Sequence, residues 1–158
     1  MRPGITGRKK RATTRNGGER GSAILEFAIC ASLLLMITAG VTDFSRFITA
    51  ADAAAGAAAA GTQYGALSPA HSNFAGMQNA ATIDAANYPG TTAVASQFCA
   101  CTVGGSRVAC PPNCNLAGGE TPETYIQVTV TIPFTPLFPY PGMPTGTSIT
   151  SSSAVRVQ

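Results

Sequence analysis

From Ile24 to Val41 the chain runs through 18 residues interrupted by a single charge, Glu26. At about 1.5 Å per residue such a run makes a helix about 27 Å long, close to the 30 Å or so of a bilayer's hydrocarbon core. Ser22, Ala23 and the turn after Val41 supply the remaining length. A carboxylate inside an apolar span is costly, so its presence points to a job. Seven of the ten basic residues (Arg2, Arg8, Lys9, Lys10, Arg11, Arg15 and Arg20) come before the run. Beyond Gly21, three basic residues stand against six acidic ones, a net of −3. The formal charge of +3 therefore belongs to the leader and not to a nucleic-acid surface. A basic tail can also bind nucleic acid or anionic lipid. Placed directly before an apolar span, it reads as a topology signal, with the N-terminus cytoplasmic and the C-terminal bulk outside. A cleaved secretory segment fits the same run, with small-residue sites at Thr38-Ala39-Gly40 or Ala53-Ala54-Ala55. Its apolar core would then be long and would contain a glutamate.

Past the span, Asp43 and Arg46 are three residues apart and share a helical face as an ion pair. The alternative is two solvated charges at the membrane surface. Phe44 and Phe47 have the same spacing and suit an interfacial aromatic anchor. Residues 50–60 are nearly all alanine, the strongest helix former, so one helix should run from Ser22 to about Ala66. Gly56 and Gly61 among the alanines leave a narrow face on which similar helices can approach closely. The expected division is a leader at 1–21, a transmembrane helix at 22–42, a helical extension at 43–67 and an exported domain at 68–158.

That last region is loop-rich and built from small residues. Pro69 stops the long helix. A second, short helix is expected from Asn73, its cap, to about Asn87. Strands follow at 92–103 and 124–134, the second with Ile126, Val128, Val130, Ile132 and Phe134 on one face. Prolines from Pro133 to Pro144 should break the pattern, and Ser148 to Gln158 adds a last strand. His71, the single histidine, belongs to an exposed loop. The fold class is α+β: a long membrane-spanning helix, a short second helix and a small disulfide-bonded antiparallel β domain.

Cys99, Cys101, Cys110 and Cys114 form an even cluster on the exported side, where the compartment is oxidising. Three pairings are possible. Strand geometry disfavours a bridge between Cys99 and Cys101. Cys99–Cys114 with Cys101–Cys110 is the preferred arrangement. Zinc is the rival, although one intervening residue in the first pair is unusual for a zinc knuckle. Cys30 reads as a small buried apolar residue of the span, with lipidation as the alternative.

The order Gly21-Ser22-Ala23-Ile24-Leu25-Glu26-Phe27 resembles the processing site of type IV-like prepilins. The resemblance implies cleavage after Gly21, with Ser22 as the new N-terminus. Glu26 becomes the fifth mature residue, followed by the aromatic Phe27. It also implies that the Glu26 carboxylate pairs with the new amine of its own or a neighbouring chain. With Asp43-Phe44-x-Arg46, the alanine-rich helix, Tyr64-Gly65-Ala66, the cysteines and the Ser152-Ser153-Ala154-Val155-Arg156 ending, the chain is similar to TadE-like proteins, minor pseudopilins of the tight-adherence pilus system. Many relatives carry a proline in the span, and Ala31 to Leu35 has none. The implied partners are the inner membrane, the prepilin peptidase, other pseudopilins, the major pilin and the assembly platform. The implied location is the bacterial inner membrane, single-pass, with a periplasmic C-terminal domain.

One histidine and no G-x-S-x-G, phosphate-loop or H-E-x-x-H motif leave no basis for an enzyme, a cofactor or a metal centre. The expected function is a structural subunit of pilus assembly. The alternative is a signal-anchored or secreted disulfide-containing envelope protein with a binding role outside any pilus.

Overall fold

The structure, a computed structural model, describes residues 18–67, 69–101, 105–110, 122–138 and 146–157. Helix α1 spans Gly18–Ala66. It begins upstream of the expected Ser22, because one interior glycine costs only about 1 kcal/mol and Gly21 meets no neighbouring atom. Polar side chains in α1 satisfy themselves on the preceding turn. The Ser32, Thr38 and Thr49 hydroxyls donate to the carbonyls of Ile29, Leu34 and Ser45, so the helix presents few unmet polar groups to an apolar solvent.

The chain divides into two compact units, Met1–Gly40 and Val41–Gln158. In the first, the described apolar side chains point outward all round the helix: Ile24, Leu25, Phe27, Ile29 and Leu33 to Ile37 are more than half exposed. Among the described residues, α1 is the one helix long and apolar enough to cross a membrane.

In the second unit, a four-stranded antiparallel sheet is built from β1 (Thr92–Ala100), β2 (Arg107–Val108), β3 (Glu123–Phe134) and β4 (Thr147–Arg156), in the order β2-β1-β3-β4. β3 is central, paired along its length with β1 from Thr131↔Thr92 and with β4 from Phe134↔Thr147. Its alternation is as expected: Ile126, Val128, Val130 and Ile132 are fully buried. They pack against Ala50, Ala54, Ala57 and Ala58 of α1 and against Met77, Ala81 and Ala85 of the second helical segment. Helix α2 (Phe74–Asp84) is capped by Asn73, whose side chain accepts from the Gly76 N–H at 2.9 Å. It ends three residues earlier than expected, in a turn through Ala85 that closes at Gly90. There φ is +82°, a conformation that favours glycine.

Two expectations change. β3 continues through Pro133, which pairs opposite Ser148. β1 stops pairing at Thr131, so Pro133 is flanked on one side only and its missing N–H is tolerated. His71 lies in a 3-10 turn, Ala70–Ser72, and is half-buried. The leader up to residue 17 and Pro139, Pro141 and Pro144 lie outside the described residues.

Candidate functional site

Gly21, Ser22, Glu26 and Phe27 all lie on α1 and are exposed, Phe27 at 75%. Ser22 and Glu26 are one turn apart on one face, about 6 Å along the axis. The peptide bond between Gly21 and Ser22 is helical. Cys30 follows Glu26 by another turn and is a free, exposed thiol.

The second constellation sits just past the span. Asp43 is buried at 5% exposure. Arg46 Nη1 donates to its Oδ1 at 3.2 Å, the ion pair that the spacing implied. The rest of the site has no local signal in the sequence. The Leu137 N–H donates to both carboxylate oxygens, at 2.9 and 3.1 Å, and the Phe138 N–H reaches Oδ2 at 3.3 Å. Asp43 thus caps the chain where it leaves β3. Arg46 also donates to the Thr135 carbonyl at 3.5 Å, and its guanidinium lies 5.7 Å from the centre of the Phe134 ring. Phe47 meets that ring edge-on at 5.5 Å. Phe47 is therefore a packing residue, whereas Phe44 points outward at 66% exposure. An open depression of about 500 Å³ lies here, with Arg46, Tyr88, Pro89 and Phe134 among its lining.

A third group fixes α1 to the sheet. Ala50, Ala54, Ala57, Ala58, Gly61, Thr62 and Gly65 recur at helical spacing and are all buried. A Cβ on Gly65 would lie 2.4 Å from Ile126 Cδ1, and one on Gly61 would lie 2.9 Å from the Met77 carbonyl oxygen. Of the small face expected to receive neighbouring subunits, the part at Gly61 is filled by the chain's own sheet and α2, whereas Gly56 is exposed. Thr62 Oγ1 bonds Ser153 Oγ on β4 at 3.0 Å. Tyr64 lies over Gly76, where a Cβ would collide with its ring, and its hydroxyl accepts from Asn73 Nδ2 at 3.2 Å.

At the far end of the sheet, Cys99 bridges Cys110 with Cα atoms 5.4 Å apart. This overturns both preferred pairings, Cys99–Cys114 and Cys101–Cys110. β2 sets Val108 opposite Cys99 in the ladder, and Cys110 follows two residues later, within reach. The two-residue β2 was not foreseen. Cys101 is also disulfide-bonded, which with the Cys99 bridge removes these thiols from zinc. Cys114 lies outside the described residues. On the outer face beside the bridge, Arg107 stacks 4.4 Å from the Phe98 ring centre, and Phe98 stacks parallel to Tyr125 at 5.1 Å. Glu123, 8% exposed, holds the row's end: Arg156 Nη1 lies 2.6 Å from its Oε1, and the Tyr125 hydroxyl donates to its Oε2. Ser153 and Arg156 of the C-terminal motif thus each hold a named partner on another element.

The family model described as TadE-like protein matches residues 21–63. No curated protein and no solved structure matches the chain. Over residues 21–63, from the junction through the apolar run into the alanine-rich helix, the chain is similar to the TadE-like family.

Proposed function

We propose that this chain is a minor pseudopilin-like subunit of tight-adherence pilus assembly, cut after Gly21 and anchored in the bacterial inner membrane by residues 22–42. The leader is cytoplasmic and the unit carrying the sheet is periplasmic. The observation that carries this reading is the TadE-like match over residues 21–63. It coincides with a helix that turns apolar side chains outward until Val41 and then joins a folded core. Glu26 pairs with the amine freed at Ser22, in its own chain or a neighbour, which offsets the cost of a charge within the membrane. The partners are the prepilin peptidase, other pseudopilins, the major pilin and the assembly platform. The subunit acts structurally, without catalysis, cofactor or nucleic acid.

The test is N-terminal sequencing and intact mass of the membrane-extracted protein. The reading expects Ser22 first. An intact Met1 would overturn processing and favour a signal-anchored envelope protein. A start near Val41 or past the alanine run would mean a secreted product.

A further inference from the structure

Asp43 stands two residues beyond Val41, about 3 Å further along the helix axis. The headgroup layer extends about 5–8 Å beyond each face of the hydrocarbon core. If the span ends at Val41, Asp43 lies in that layer, and so does whatever is bound to it. Bound to it are the backbone amides of Leu137 and Phe138, at 2.9 and 3.3 Å. Their side chains are not used by the core: Leu137 is 57% and Phe138 46% exposed. Nearby on α1, Val41 and Phe44, three residues apart on one face, are 62% and 66% exposed. Four large apolar side chains, from two segments far apart in sequence, are thus exposed next to Asp43 or its hydrogen-bond partners. Arg46, whose side chain is 44% exposed, can place its guanidinium among headgroups while its stem covers apolar surface.

We propose that Leu137 and Phe138 are a second membrane contact: a ledge pinned by Asp43 to the first turn of α1 beyond the span, inserted into the interfacial layer of the phospholipid bilayer. The occupant is lipid because the ledge's backbone is tied to Asp43, two residues past the last residue of an apolar run long enough to cross a membrane. This inference rests on the membrane-anchored reading. The ledge restrains the tilt and rotation of the folded unit about its anchor, which a single helix leaves free.

The chain has no tryptophan, so one introduced indole reports its own surroundings. Full-length Phe138→Trp, Phe44→Trp and Leu67→Trp variants are reconstituted in phosphatidylcholine vesicles with and without acyl-chain-brominated phosphatidylcholine. Leu67, 66% exposed at the distal end of α1, is the aqueous control. The proposal expects blue-shifted emission and bromine quenching at both 138 and 44, and neither at 67. Quenching at 44 without quenching at 138 overturns the ledge and leaves the anchor standing. No quenching at 44 removes the anchor reading, and the ledge with it. Adding Asp43→Ala to Phe138→Trp should reduce quenching at 138 while the same change leaves Phe44→Trp quenched. Undiminished quenching at 138 overturns Asp43 as the pin.

Discussion

The Asp43 carboxylate accepts the Leu137 backbone N–H at 2.9 Å on one oxygen and 3.1 Å on the other, across 94 residues of chain. It joins the first turn past the apolar run to the exit of the central strand. A buried carboxylate is costly without donors. Here it has two backbone amides and a guanidinium, and hydrogen bonds to a charged group contribute about 1.5–3 kcal/mol each.

Asp43→Ala should therefore destabilise the unit by about 1–3 kcal/mol, because the Leu137 and Phe138 amides lose their acceptor. Hydrogen exchange at those two amides should accelerate ahead of the β3 core. Asp43→Asn keeps an acceptor oxygen and should cost less. Unchanged exchange at both amides in the alanine variant would refute the cap.

Three glycines of α1, Gly56, Gly61 and Gly65, should respond with opposite signs. Gly65→Ala and Gly61→Ala drive a methyl into Ile126, Met77 and the α2 backbone, and overpacking of this kind costs about 1–3 kcal/mol. Gly56 is exposed, and its added methyl would meet nothing closer than Asp84 Oδ2 at 3.5 Å. Gly56→Ala should stabilise by about 0.4–1 kcal/mol. Thermal unfolding of the three variants side by side decides the matter, since equal effects would deny the close packing.

Removing the Cys99–Cys110 bridge, by Cys99→Ser with Cys110→Ser, should cost about 2–4 kcal/mol. Peptide mapping of the unreduced protein should recover these two cysteines in one linked species. Recovery of Cys99 linked to Cys114 would restore the pairing that the structure displaced.

At the junction, Gly21→Leu should block processing and leave Met1 at the N-terminus. Glu26→Ala should leave the cut largely intact but weaken co-purification with partner subunits. Normal assembly by the alanine variant would remove the pairing role from Glu26.

The legible features were those written in short-range patterns. The apolar run, the Asn73 cap, the alternation of Ile126 to Ile132 and the Asp43–Arg46 spacing all act within a few residues, where helix and strand periods fix which side chains share a face. The cysteine cluster was legible as disulfides but not as a pairing. The pairing depends on β2, a strand too short to carry a pattern, which brings Cys110 toward Cys99. Pro133 fits within β3 because β1 ends short of it, a pairing that no local pattern carries.

The sequence alone determined the long helix and its apolar run, since length and hydropathy act along one segment. It also determined which residues of β3 face inward. The tertiary structure decided what each face meets. The glycine and alanine stripe of α1 is a core surface because Ile126 and Val128 fill it, and Asp43 is a cap because Leu137 arrives there. Glu123 is held by Arg156 because β4 lies beside β3. These contacts join residues tens of positions apart. The free energy that selects them comes from burying one complementary surface against another, and no stretch of sequence holds both surfaces.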